Sequence, residues 1–287
     1  MPFFGARHPV VQAPMAYVQP PSLAAAASNA GALGTIAGTP LGPDELRLAI
    51  REVRAATAAP FGVNLFAPPY LGDGQLEVVL EERPAVFSFT FGLVEPAPLH
   101  DEGIAVLGTA TTAEEAALLE AAGVDGVVLQ AAEAGGHRGT FLGSFDDGLV
   151  PLEELLQVVD VAVPVIAAGG IVDRADVRRA RELGAAGVQV GTAFLFTPEC
   201  AVPPAHLEAL RTYETVVTAA YTGRPMRAAR TPVLEELMAG PPPLPFPQQR
   251  AVSARLGPVF MGGTGARRAR EQSVAELVRV LADAWKT

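Results

Sequence analysis

Short apolar runs alternate with amphipathic stretches along the first two-thirds of the chain. Residues 10–15 read as a first strand, residues 22–30 as an alanine-rich helix closed by Gly31, and residues 33–37 as a second strand. Leu46, Ile50 and Val53 fall at i, i+4 and i+7, one face of a helix that Asp44 or Thr39 would cap. Residues 61–66, 85–91 and 103–108 are the third, fourth and fifth strands, and residues 93–102 are short for a crossover helix. Thr112-x-x-Glu115 has the form of a capping box ahead of an apolar helix that stops at Gly123. Residues 127–130, 164–168 and 188–195 complete eight strands, with a helix from about Asp173 to Gly184 before the last.

Strands that are apolar nearly throughout and separated by helices belong to a parallel sheet covered on both sides. Eight of them predict an α/β fold of the (β/α)8 TIM barrel type. An open doubly wound sheet is the alternative, but the G-x-G-x-x-G turn it would carry after its first strand is missing. Past Thr197 the pattern changes: residues 200–240 read as helical, residues 241–247 are proline-rich, and Val274, Leu277, Val278, Leu281 and Trp285 trace a terminal amphipathic helix. The expected organisation is a barrel from residues 1–196 and 266–287, with residues 197–265 forming a small helical cap or lid.

Composition narrows the chemistry. The 31 acidic residues outnumber the 21 Lys and Arg, and the net charge of −10 argues against nucleic acid or an anionic membrane as partner. Cys200 is the single cysteine, so neither an intrachain disulfide nor a cysteine metal site is available. His8, His100, His137 and His206 lack metal-ligand spacing, so no metal is expected. The one lysine, Lys286, stands beside the C-terminus, which sets aside Walker-A phosphate loops and Schiff-base enzymes. Residues 9–43 carry no charge, yet Gln12, Pro14, Gln19, Pro20, Pro21 and Asn29 interrupt them, so neither a membrane span nor a signal peptide is expected and the protein reads as cytoplasmic.

Active sites of closed barrels lie at the C-terminal ends of the strands. The seventh strand ends in Ala168-Gly169-Gly170 and the eighth in Gln189-Val190-Gly191-Thr192. Glycines there let backbone N–H groups approach an anion, and this is the usual place for a barrel phosphate site, although glycines also turn tight corners. After the sixth strand comes Gln130-Ala131-Ala132-Glu133-Ala134-Gly135-Gly136-His137-Arg138-Gly139. A histidine in that turn reads as a general base rather than a loop histidine bonded to backbone. Arg138 reads either as the holder of an anionic substrate or as a solvated loop residue. Met15 follows the first strand, Asn64 lies in the third, and Ser88 and Thr90 lie in the fourth. The Asn64 amide suits a polar ligand ring or a neighbouring loop equally.

Taken together, Gln12-Ala13-Pro14-Met15, Ser28–Gly34, Phe61–Phe66, Ser88–Gly92 and Glu133-Ala134-Gly135-Gly136-His137-Arg138-Gly139 resemble the nitronate monooxygenases, and the likeness runs from about residue 8 to 200. The resemblance implies a flavoprotein oxidoreductase, a TIM barrel holding FMN without a covalent link. By position FMN would contact Met15 and Asn64, with Gln130 and Gly135 near its ring system and Gly169, Gly170, Gln189, Val190, Gly191 and Thr192 around its phosphate and ribityl chain. His137 matches the catalytic histidine of the family. The implied reaction is oxidation of alkyl nitronates or nitroalkanes by O2 to carbonyl compounds and nitrite. Two departures stand out: Ala131 occupies a place where the family has glycine, and Met261-Gly262-Gly263-Thr264-Gly265 replaces a Trp-Ala-Gly-Gln type segment.

Three rivals share parts of this pattern. An FMN-dependent NAD(P)H reductase of the enoyl-acyl-carrier-protein or quinone type also carries Glu-x-Gly-Gly-His. A barrel resembling inosine monophosphate dehydrogenase would use Cys200 as nucleophile, and a flavin-binding scaffold would have lost turnover. The partners the resemblance implies are the small-molecule nitronate or nitroalkane and O2, with a homo-oligomer as a further candidate.

Overall fold

The computed structural model describes residues 3–200 and 202–286. Its strands, in chain order, are β1 (Val10–Gln12), β2 (Gly34–Ala37), β3 (Phe61–Phe66), β4 (Val86–Thr90), β5 (Ala105–Ala110), β6 (Gly126–Gln130), β7 (Gly136–His137), β8 (Val165–Ala168), β9 (Gly187–Val190), β10 (Thr215–Thr218) and β11 (Met226–Ala229). Eight of them form one parallel sheet in the order β1-β9-β8-β6-β5-β4-β3-β2. Its two ends meet at a parallel bridge between Val11 and Leu33, where the Gln12 amide donates to Leu33 O at 2.9 Å and the Leu33 amide to Val10 O at 2.8 Å. The sheet therefore closes, and the expected (β/α)8 TIM barrel is the fold.

Alternation along each strand sorts the side chains. Val63, Leu65, Phe87, Phe89, Val127 and Leu129 join the helices in one large buried layer, whereas Val11, Leu33, Val86, Leu107, Val128 and Ile166 form a separate cluster inside the barrel. Phe3 and Phe4 pack against that inner cluster from below. Glycine makes their room: a Cβ at Gly187 would lie 2.4 Å from the Phe3 ring, and one at Gly126 2.9 Å from the Phe4 ring. Towards the other end of the barrel most inward positions become polar, with Thr35, Asn64, Ser88, Thr109, Gln130 and Gln189 on β2, β3, β4, β5, β6 and β9.

Several boundaries differ from expectation. The eighth expected strand ends at Val190, because Gly191 takes a helical ψ of −67° and Thr192–Leu195 continues as a helical turn. The fifth begins at Ala105 and runs to Ala110. Between residues 93 and 102 there is only the short helix Ala97–Asp101. The helix Pro43–Ala56 starts after Gly42, whose amide is taken by the Glu45 carboxylate at 2.9 Å; Thr39 instead accepts the Phe66 amide at 2.9 Å. Only half of the Thr112 capping box forms. Thr112 accepts the Glu115 amide, but the Glu115 carboxylate turns inward to Thr111 N, Thr111 Oγ1 and the amides of Phe141 and Leu142.

Residues 200–240 are not helical throughout. After the helix Pro204–Thr212, β10 and β11 form an antiparallel hairpin that extends onto β7, with Met226 opposite His137 and Arg227 opposite Gly136. The β-branched run Thr215-Val216-Val217-Thr218 favours a strand, and Gly223 and Pro225 break any helix through the turn. The helices Pro232–Met238 and Gln249–Ser253 follow, and Val274–Lys286 closes the chain against the barrel wall. Among the described residues no helix is long and apolar enough to cross a membrane.

Candidate active site

The C-terminal ends of the barrel strands bring Met15, Asn64, Gln130, Gly135, His137, Gly169, Gly170, Gln189, Gly191 and Thr192 to one mouth. Val190 differs: its side chain is buried in the outer layer with the helices, so only its backbone belongs to the mouth. Asn64 is buried and donates from Nδ2 to Ser88 Oγ at 3.0 Å, while its Oδ1 takes no bond among the described residues. Gln130 is committed to the loop that follows it. Its Nε2 donates to His137 O at 3.0 Å and its Oε1 accepts the Gly139 amide at 2.7 Å, so the carboxamide staples both sides of the histidine to β6.

His137 projects from β7 towards the later segment that carries Thr222 and Phe246. Its ring meets Phe91 edge-on at 6.2 Å and Phe246 at 5.3 Å between centroids, and Tyr70 packs on both of those rings. Its Nε2 lies 3.0 Å from Thr222 Oγ1. Some of its surface is accessible within the mouth, but protein encloses it deeply. Burial first, then the Arg224 and Arg250 charges, holds its pKa down at about 3.

Arg138 is neither a substrate clamp nor a solvated side chain. It is fully buried and donates to the carbonyls of Ala131 at 2.7 Å, Gln130 at 2.8 Å and Gly148 at 3.1 Å, so it ties the loop to its own base. Arg224, unremarked in the sequence, lies 3.7 Å over the Phe91 ring and donates to Arg138 O and Thr140 O. Burial lowers both guanidinium groups to about 10, which leaves them charged at neutral pH. Arg250 stacks 3.8 Å over Tyr17 on the far side of the mouth. Among the described residues neither Arg224 nor Arg250 forms an ion pair with a carboxylate. The mouth is thus cationic although the chain carries a net charge of −10.

The glycine ends of β8 and β9 have the geometry an anion needs. Gly169 and Gly170 hold φ of +132° and +71°, which side-chain-bearing residues rarely adopt. Among the described residues the amides of Gly169, Gly170 and Gly191 donate to no protein acceptor. Residues 261–265 fold back over this corner. The Gly263 amide donates to Thr192 Oγ1 at 2.9 Å and the Thr264 amide to Glu133 O at 3.0 Å. The fold-back needs Gly135, where a Cβ would stand 2.6 Å from the backbone of Gly262 and Gly263. Ala131 is accommodated in the buried layer, its amide bonded to Ala168 O at 2.8 Å. Unsatisfied amides at one end of the mouth and an Asn64 Oδ1 without a protein partner among the described residues on another strand fit a heterocycle that carries a phosphate.

Cys200 is buried and donates its thiol towards Val18 O at 3.6 Å, with its pKa pushed up to about 11 by burial. A thiol kept protonated and away from the mouth does not serve as a nucleophile.

Comparison with known proteins agrees with this architecture. The nitronate monooxygenase family model matches residues 1–71 and 69–283. The nitronate monooxygenase of Pseudomonas aeruginosa is 40% identical over 342 aligned positions, covering 97% of this chain and 96% of that protein. A nitroalkane oxidase from Streptomyces ansochromogenes superposes with a TM-score of 0.91 at 35% identity, covering 99% of this chain and 97% of that one. FabK from Thermotoga maritima gives a TM-score of 0.83 at 31% identity, covering 99% and 94%. With a closed barrel, a glycine-framed histidine at its mouth and a family match along nearly its whole length, the chain belongs to the nitronate monooxygenase family.

Proposed function

We propose that this protein is an FMN-dependent oxidoreductase that oxidises alkyl nitronates, and nitroalkanes once deprotonated, with O2 to carbonyl compounds and nitrite. The observation that carries this reading is His137, neutral and framed by aromatic rings, in a mouth whose unpaired cations are Arg224 and Arg250. That environment suits a small carbon acid whose conjugate base is an anion.

FMN, when bound, supplies the electron transfer between nitronate and O2. The amides of Gly169, Gly170 and Gly191 would hold its phosphate, with Thr192 and Gln189 beside the ribityl chain and Met15, Asn64, Gln130 and Gly135 around the ring system. His137 takes the α-proton of a neutral nitroalkane. Its protonated form is disfavoured in the free site but is stabilised when negative charge develops on the nitro group beside it. A nitronate arrives already deprotonated and needs no base; Arg224 and Arg250 then favour the bound anion. Residues 197–265 act as the cover, with Phe246 shielding the imidazole from bulk water.

His137→Asn tests the assignment of the base. Turnover of neutral nitroalkanes should fall by on the order of a hundredfold or more, while much of the nitronate activity persists. Equal retention of both activities would remove His137 from the role.

A further inference from the structure

We propose that Thr222 is a positioning residue that holds His137 as its Nε2–H tautomer, making Nδ1 the atom that removes the substrate proton. This rests on His137 acting as the base. The Thr222 side chain is buried, 1% exposed, and its Oγ1 has two close neighbours besides the backbone amide of Arg224. One is Arg224 O at 3.0 Å and the other is His137 Nε2 at 3.0 Å. A hydroxyl carries one proton and a carbonyl oxygen carries none. The contact with Arg224 O therefore uses the Thr222 proton, and the contact with His137 requires a proton on Nε2. The opposite arrangement would set the Arg224 carbonyl against a hydroxyl lone pair in a buried position.

A neutral imidazole has one ring proton, so placing it on Nε2 leaves a bare lone pair on Nδ1. Nδ1 makes no hydrogen bond among the described residues. The other groups facing the ring are the rings of Phe91 and Phe246 and the charges of Arg224 and Arg250, none of which accepts a proton from it. The turn that carries Thr222 is held in place: the Gly223 amide donates to Ala219 O at 2.8 Å, and the Arg224 side chain donates to the carbonyls of Arg138 and Thr140. In the reaction the α-carbon's C–H bond breaks and its proton bonds to Nδ1. The electron pair passes onto the nitro group, giving a nitronate and an imidazolium still anchored through Nε2–H to Thr222.

The direct test needs no mutation. In the 15N-labelled holoenzyme, long-range nitrogen–proton correlations report which ring nitrogen of each histidine is protonated, and the signals missing from His137→Asn identify residue 137. The expected result is a protonated Nε2 and a bare Nδ1 in the wild type and in Thr222→Ser. In Thr222→Val an appreciable Nδ1–H population should appear. Kinetics should follow: Thr222→Val loses about tenfold in kcat on neutral nitroalkanes, keeps its nitronate activity, and Thr222→Ser restores the loss. A wild-type proton on Nδ1, or an unchanged tautomer in Thr222→Val, overturns the proposal. If the tautomer is as expected but His137→Asn still turns over nitroalkanes, the positioning stands and the base assignment fails, so the two failures are separable.

Discussion

His137 and Arg138 are neighbours in the chain with opposite fates. The imidazole faces the mouth, whereas the guanidinium turns into the protein to bind three carbonyls. The glycine-rich run after β6 marks the histidine's loop in the sequence, but no local signal distinguishes a buried arginine from an exposed one. The low pKa of His137 has a measurable consequence for stability. Its ordinary value is 6.5 and its folded value about 3, so in this window the unfolded chain binds a proton that the folded one does not. The associated stability is complete above about pH 6.5 and is lost as pH falls towards 3, by at most about 1.4 kcal/mol per pH unit. Urea unfolding of wild type and His137→Asn at pH 7.5 and at pH 5 should show the wild type losing more on acidification. Parallel losses would contradict the lowered pKa of the buried imidazole.

At the scale of elements, the strands were legible because a parallel barrel buries both faces, so each strand announces itself as an apolar run between helical ones. The glycine block before His137 and the glycine ends of β8 and β9 were legible for the same kind of reason, since backbone proximity permits little else. What could not be read was partnership at long range. Thr222 lies 85 residues from His137, and the hairpin that delivers it sits where the pattern suggested helix. The β-branched run 215–218 and the Gly223-Arg224-Pro225 turn were the available signals. Glu115 is a similar case: it looked like half of a capping box and instead anchors the loop amides of Phe141 and Leu142. The fold-back of residues 261–265 yields its own prediction. Gly135→Ala forces a Cβ to within 2.6 Å of the Gly262–Gly263 backbone, so that segment must move. The expected outcome is a loss of about 1–3 kcal/mol in stability together with reduced flavin content after purification. A normal melting temperature with full flavin occupancy would show that the segment does not brace the mouth.

The whole molecule sets a cationic pocket into an acidic surface. Its charge of −10 and its arginine-framed mouth select for small anions at the site while leaving the exterior unattractive to polyanions. Phe3 and Phe4 fill the barrel from below, while Phe91 after β4 and Thr222 and Phe246 from the later segment surround His137 above. FabK from Thermotoga maritima superposes over 99% of this chain, so the electron donor is read from the chemistry of the mouth and not from the fold. The deciding experiment mixes the purified flavin-loaded protein, without oxygen, with an alkyl nitronate in one cell and NADH or NADPH in another, and follows the visible spectrum. The account predicts that nitronate reduces the flavin and that both nicotinamides leave it oxidised. Rapid bleaching by a nicotinamide, with no response to nitronate, would contradict it.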